Sequence, residues 1–312
     1  MNFIEEFKQR GFYFQCTNIE ELSKQEEVTA YIGFDCTAPS LHLGSLMQIM
    51  ILRLLKKYNH DAIILLGGTT TKIGDPSGKD EARKLLTQNE IEFNLNGIKS
   101  VISKFINEPF ILNNSDWLEN INYIDFLREF GTSFSINKML SFDCIKNRIN
   151  NKQGLSFLEF NYMMLQSYDF LYLRNQYGCN LQIGGSDQWG NMVSGVDLLK
   201  KDGKLGFGLT TPLLTTTNGN KMGKTENGAI WLDGDPFEYY QYFRNTKDED
   251  VIKFLKLFTE LDLEEIKKFS KLQGHELNSV KEILAKETTK ICFGKSGLDQ
   301  ALIKTYEKFS KI

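Results

Sequence analysis

Tyr31-Ile32-Gly33-Phe34-Asp35-Cys36-Thr37-Ala38-Pro39-Ser40-Leu41-His42-Leu43-Gly44-Ser45 reads as a strand, a tight polar loop and the opening of a helix. Val28 to Phe34 mixes β-branched, aromatic and small residues as a buried strand does, and Gly33 leaves the backbone open to a ligand. From Gly44 onward Leu46, Ile49, Met50, Leu54 and Leu55 recur at helical spacing. The free N–H groups of that first turn therefore point back at the loop. A helix N-terminus attracts anions, and Thr37 and His42 add side-chain donors where a phosphate would gain charge during transfer. Taken alone, the His-x-Gly pattern is also compatible with a buried Leu-His-Leu turn.

Working outward, Asp61 to Gly67 is a continuous apolar run, as in a central parallel strand. Strand, helix, strand in this order implies a right-handed crossover and a doubly wound sheet, whose ligands bind at the carboxyl ends of the strands. The loop from Gly67 to Gly78 sits at such an end. Leu181 to Gly185 reads as another strand running into a glycine loop, with Asp187 before a helix that continues to Lys201. Met1 to Gln15 reads as a short amphipathic helix. The region from Ile98 to Phe157 is helical in pattern, apart from a strand-like Pro109 to Leu112, and carries an apolar stripe of Phe126, Leu127, Phe130 and Phe134. From Asp235 the chain is rich in Lys and Glu at helical spacing. The expected fold is α/β: a doubly wound, mostly parallel, Rossmann-like sheet over residues 1–225 with a helical insertion at about 113–158, then a linker and a small all-helical domain over 226–312.

Composition narrows the classes. At 312 residues and 41% hydrophobic content the chain can build one large or two smaller cores. Its five cysteines are odd in number, scattered and never in a C-x-x-C arrangement, which argues for a reducing compartment without disulfides or structural metal. Three widely separated histidines suggest no histidine metal site. The formal charge of −3 is unlike a small basic nucleic-acid module, so any nucleic-acid contact must come from local patches. No apolar run approaches the ~18 residues of a membrane span, and the N-terminus lacks a signal pattern, which makes the cytoplasm the default expectation.

Three further groups could carry chemistry, and each also has a plain structural reading. Tyr162, Gln166 and Asp169 fall at i, i+4 and i+7 on one side of a helix, where a polar stripe can equally be a solvated face. Asp75, between Gly74 and Pro76, could simply cap a helix. Lys221-Met222-Gly223-Lys224-Thr225 lies in a stretch rich in Gly, Asn and Thr and reads as a mobile loop, which alone would be a solvated basic turn.

His42-Leu43-Gly44-Ser45 followed by Lys221-Met222-Gly223-Lys224-Thr225 resembles the two signature motifs of class I aminoacyl-tRNA synthetases. Tyr31 to Gly44, Ile73 to Lys79, Tyr162 to Asp169 and Leu181 to Asn191 resemble the bacterial-type tyrosyl-tRNA synthetases, and the likeness covers nearly the whole chain. This resemblance implies activation of tyrosine by ATP to tyrosyl adenylate and pyrophosphate, then transfer to the 3′ end of tRNA(Tyr). It implies that Tyr162, Gln166 and Asp75 hold the α-ammonium of tyrosine, that Tyr31 and Asp169 reach its phenol hydroxyl, and that Gln188 meets its carboxyl group. Gly33, Asp35, Gly44, Ser45, Gly185, Asp187 and Lys224 would take ATP. Thr37, His42, Lys79, Arg83, Lys221, Lys224 and Thr225 would act with Mg²⁺ on the developing pyrophosphate. Lys200 and Lys201 would meet the tRNA acceptor stem, and the insertion would form a homodimer interface. Ser45 stands where the motif has a second histidine, Gly223 where it has serine, and Ile32 and Gln48 where better-known members carry side chains that can hydrogen-bond ATP. The resemblance also leads one to expect a C-terminal RNA-binding domain, for which a chain ending at Ile312 leaves no room. Two alternatives stay open: the tryptophanyl relative, which shares fold and signatures, and a non-catalytic RNA-binding or tyrosine-sensing relative.

Overall fold

The stretch beginning at Val28 builds the middle of the sheet in the computed structural model, which describes residues 1–77, 85–214, 224–225 and 228–309, with residues 144, 224, 225 and 228 described in backbone alone. Six strands, β1 (Gln15–Cys16), β2 (Thr29–Asp35), β3 (Asp61–Gly67), β4 (Phe110–Asn113), β5 (Leu181–Gly185) and β6 (Phe207–Thr211), line up in the order β1-β6-β5-β2-β3-β4. All neighbours run parallel except β1, an antiparallel edge on β6. The chain winds outward from β2 to β3 and β4, then returns to β5 and β6 on the other side. The strand order therefore reverses between β2 and β5, where open α/β sheets bind their ligands.

Local chemistry explains the elements around this point. After its exposed first residue β3 is buried throughout, which is why its sequence shows no alternation. The helix Phe157–Tyr177 begins at a capping box, with Ser156 accepting from the Glu159 N–H and the Glu159 side chain reaching back to Ser156, and ends where Gly178 turns left-handed at φ 69°. The C-terminal region consists of the helices Pro236–Arg244, Asp248–Phe258, Leu263–Phe269 and Leu277–Phe309, the last kinked at Gly294, whose φ is 68°. Among the described residues no helix is long and apolar enough to cross a membrane.

One expectation is corrected, one strand was not foreseen, and the apolar stripe of the insertion finds its packing. The N-terminal helix covers Phe3–Gln9 only, after which Phe12 is buried, Phe14 is exposed and the chain enters β1. β6 had no legible signal, because Phe207-Gly208-Leu209-Thr210-Thr211 owes its burial at every position to its place between β5 and β1. The stripe of the insertion faces mostly inward: Phe126 packs with Met139, Met163 and Met164, with Phe130 and Phe134 against them. The exposed apolar side chains there include Tyr123, Ile124, Ile136 and Phe157.

Arg10, at the C-cap of the N-terminal helix, ties that helix to the C-terminal region. Arg10, 5% exposed, donates to Glu6 Oε1 at 2.7 Å and to the carbonyls of Lys256, Thr259 and Leu261 at 3.1, 2.9 and 3.0 Å. Lys57 and Tyr58 donate to the same buried carboxylate. Arg10→Met should lower unfolding stability in urea by about 3 kcal/mol, the low end for breaking a buried pair because Glu6 keeps two other partners. A midpoint unchanged from wild type would show that the C-terminal helices are held by apolar packing alone.

Candidate active site

At the β2/β5 switch point a cavity of about 400 Å³ opens, and most of the sequence-predicted site residues line it. Its floor holds Asp169, 2% exposed, which accepts hydrogen bonds from Asn114 Nδ2 at 3.0 Å and Trp117 Nε1 at 2.7 Å. Burial pushes this carboxyl up, the bonds from Asn114 and Trp117 pull it down, the Asp35 charge pushes it up again, and it comes to rest at about 7. Beside it Tyr31, 1% exposed, packs its ring on Phe170 at 5.4 Å. Burial and then the Asp169 charge hold the Tyr31 phenol well above its ordinary range, so it stays a neutral donor. Tyr31 Oη is buried without a hydrogen-bond partner, and so is Oε1 of Gln182, its neighbour across the β2–β5 ladder. Buried polar atoms in native folds are normally satisfied. A floor with an unused hydroxyl, an unused amide oxygen and a carboxylate suits a ligand group that both donates and accepts.

Above the floor lies a polar ring. Asp35 accepts from Thr70 Oγ1 at 3.0 Å and from Tyr162 Oη at 3.2 Å. Asp75 accepts from Gln188 Nε2 at 2.6 Å and from the Ser77 N–H at 2.9 Å. That second bond is a local turn. Asn191 Nδ2 lies 3.1 Å from both Gln166 Oε1 and Gln188 Oε1 and ties the ring together. Two carboxylates and an amide oxygen around one space suit a small cation such as an ammonium.

The mouth is built from backbone. His42 precedes a single 3-10 turn, Leu43–Ser45, that leads into the helix Leu46–Lys57, and His42 Nδ1 accepts from the Gly44 N–H at 2.9 Å. This bond places the ring proton on Nε2, which becomes a donor. A Cβ on Gly44 would stand 2.5 Å from His42 Cε1, so the glycine two residues on lets the imidazole fold back. A Cβ on Gly185 would likewise meet Asp187 Oδ1 at 2.5 Å, whereas one on Gly33 would project into open space. Thr37 and Ser45 line the same mouth.

Residues 23–310 match the family model of class I tRNA synthetases (W and Y). The chain belongs to this family. It is 53% identical over 324 residues to the tyrosine–tRNA ligase of Rickettsia bellii, covering 99% of this chain and 79% of that protein. It is 56% identical over 309 residues to that of Wolbachia pipientis subsp. Culex pipiens, covering 94% and 73%. Among solved structures it is similar to a C-terminally truncated mitochondrial tyrosyl-tRNA synthetase of Aspergillus nidulans, with TM-score 0.85 and 29% identity over 99% of this chain and 94% of that one.

For a member of this family, the cavity gathers Tyr31, Gly33, Asp35, Thr37, His42, Gly44, Ser45, Asp75, Tyr162, Gln166, Asp169, Gly185, Asp187 and Gln188. Lys79, Arg83 and Lys221 lie outside the described residues. Lys224 and Thr225 form a short antiparallel ladder with Gly228–Ala229. Lys200 and Lys201 end the helix Trp189–Lys201, whose other end meets the cavity, and Lys201 Nζ donates to the Ser133 carbonyl at 2.6 Å. Sequence reasoning missed Asn114, Trp117 and Gln182. Only Gln182 left a trace, as the one polar side chain in its strand.

The carboxyl of Asp169 titrates above its ordinary 3.8 in the fold, so its ionisation costs stability as pH rises from there, in full above about 7. Trp117→Phe removes one donor to the ionised form and should push the titration higher still. We expect an added loss in urea stability of about 1.5–3 kcal/mol at alkaline pH, the scale of a hydrogen bond to a charged group, and a smaller one near pH 5. Equal losses at both pH values would mean that Trp117 acts by packing alone.

Proposed function

We propose that this cavity carries out the tyrosine–tRNA ligase reaction, with L-tyrosine on its floor and ATP, taken as its Mg²⁺ complex, at its mouth. The observation that carries the reading is the pair on the floor. A phenol O–H donates to the Asp169 carboxylate while its oxygen accepts from Tyr31 Oη, whose hydroxyl otherwise lacks a partner. The indole of tryptophan could only donate and would leave Tyr31 unsatisfied; phenylalanine would leave both. Discrimination by unsatisfied polar groups in this family is a worked case of a general rule.

The polar ring receives the rest of the amino acid: Asp75, Tyr162 and Gln166 take the α-ammonium, and Gln188 turns from Asp75 to the carboxyl group. The tyrosine carboxylate oxygen then attacks the α-phosphorus of ATP, the bond to the bridging oxygen breaks, and pyrophosphate leaves. The nucleophile is already anionic, so no general base is required and the protein's work is alignment and charge stabilisation. His42 Nε2–H and Thr37 Oγ1–H face the departing charge. Asp187 meets the ribose hydroxyls, with Gly33, Asp35, Gly44, Ser45 and Gly185 shaping the nucleotide seat. Lys79, Arg83, Lys221, Lys224 and Thr225 join them by family likeness. In the second step a ribose hydroxyl at the tRNA 3′ end attacks the adenylate carbonyl carbon and AMP leaves. Lys200, Lys201 and the helices of 226–312 hold the tRNA.

The active form is a two-fold homodimer. Tyr123 and Phe157 border an apolar groove of about 500 Å³ floored by Leu118, Ile121 and Leu165, and Tyr123 and Phe157 are 51% and 72% exposed. Large exposed apolar patches of this kind mark interaction surfaces. The cytoplasm is the site of action, as the buried free thiols of Cys36, Cys179 and Cys292 suit a reducing compartment.

Pyrophosphate exchange into ATP, run with each amino acid, should respond to tyrosine alone. Tyr31→Phe should cost about 0.5–1.5 kcal/mol in kcat/KM for tyrosine and narrow its lead over phenylalanine, with a larger loss in Asp169→Asn. A wild-type ratio of tyrosine to phenylalanine in both variants would remove the substrate assignment. Light scattering should give twice the chain mass, and Phe157→Glu should return a monomer. A monomeric wild-type chain at micromolar concentration would remove the dimer.

A further inference from the structure

A short ladder followed by an isolated bridge joins the two signature regions, which are far apart in the chain. Lys224 pairs with Ala229 and Thr225 with Gly228 in an antiparallel ladder. The same backbone then crosses to the first signature: the Leu43 N–H donates to the Ile230 carbonyl at 2.8 Å, the Leu232 N–H donates to the Leu41 carbonyl at 2.9 Å, and Trp231 stands opposite His42. The Trp231 ring meets the His42 imidazole edge-on, with centroids 6.2 Å apart at 68°. One residue past Leu232, Asp233 Oδ1 accepts from Ser40 Oγ at 2.5 Å, and Ser40 is buried. Beyond that, the backbone is fixed to the C-terminal helices: Cys292 Sγ contacts the Leu232 carbonyl at 3.2 Å, and Asp235 caps the Phe237 N–H and pairs with Lys304 Nζ at 2.5 Å.

A bridge of two backbone hydrogen bonds is weak by itself, and a slip of one residue would turn Trp231 away from His42. What fixes the register is the charge-assisted bond from Ser40 to Asp233 at one end and the fully buried Leu232 beside it. We propose that Asp233 is a positioning residue for adenylate formation: through Ser40 it locks the backbone of 228–232 against Leu41–Leu43, and so sets the position of the Lys224–Thr225 backbone relative to His42. The inference rests on the reading that His42 and the second signature act on one leaving group. It touches neither the tyrosine floor nor the ammonium ring, whose residues lie on β2, between β3 and β4, on the helix Phe157–Tyr177, on β5 and at the start of the helix Trp189–Lys201.

The test uses the full chain and compares Asp233→Ala, Ser40→Ala, the double variant and Asp233→Asn. Single-turnover adenylate formation is measured together with equilibrium tyrosine binding and thermal unfolding. The expected result is a rate lower by about 10- to 100-fold in each alanine variant, the scale of a small misplacement of reacting groups, with tyrosine affinity within about twofold of wild type. The double variant should fall no further than the singles, because both remove one interaction. Asp233→Asn keeps an acceptor oxygen and should recover most of the rate. An unchanged rate in folded Asp233→Ala, losses that multiply in the double variant, or tyrosine affinity falling in parallel would each overturn the proposal. Should Asp233→Ala fail to fold, Ser40→Ala decides by the same rate and affinity criteria. Absence of adenylate formation in the unmodified chain would instead overturn the functional reading beneath it.

Discussion

Asp169 is a buried carboxylate on the helix Phe157–Tyr177, and much of the layout around the sheet follows from holding it there. A buried charge is costly unless donors surround it. Here they come from a different part of the chain: Asn114, just past the end of β4, and Trp117, one turn later. Each does more than donate. Asn114 also bonds Thr70 Oγ1 and accepts from the Thr69 N–H, which locks the end of β4 to the segment after β3. Trp117 stacks on Tyr172 at 4.3 Å and 15°, one turn of helix beyond the carboxylate it serves. Satisfying one charge therefore fixes the angle between a sheet edge, the start of the insertion and the long helix. The carboxylate also neighbours Tyr31, whose buried hydroxyl has no hydrogen-bond partner.

Floor and mouth are made by different physics. The floor consists of side chains held by a dense interior, in which Tyr31 and Asp169 have almost no exposure and little freedom to rearrange. The mouth consists of glycines and turned backbone, where Gly44 lets His42 fold onto its own turn and Gly185 makes room for Asp187. Such a division suits a reaction in which one substrate is selected by fixed polar partners and the other gains charge as it departs. The C-terminal helices meet the N-terminal helix through Arg10, and the mouth through the backbone at Ile230–Leu232.

The sequence by itself determined the central strands, the order strand, loop, helix around His42, the helical character of the C-terminal region and the family. Those signals are local: an apolar run in β3, helical spacing after Gly44, a glycine where a side chain would collide. It also placed Tyr162, Gln166 and Asp169 on one helix face, though nothing in the spacing separates a ligand-facing stripe from a solvated one. Tertiary structure alone decided that this face looks inward, because burial is a property of what packs against it. The same holds for β6, whose glycine and threonines become a strand only between two neighbours, and for Phe126, Phe130 and Phe134 of the insertion, which pack in or against a core. Asn114 and Trp117 were invisible for a related reason: their meaning lies in a carboxylate more than fifty positions away, and a hydrogen bond between distant side chains leaves no period in the sequence.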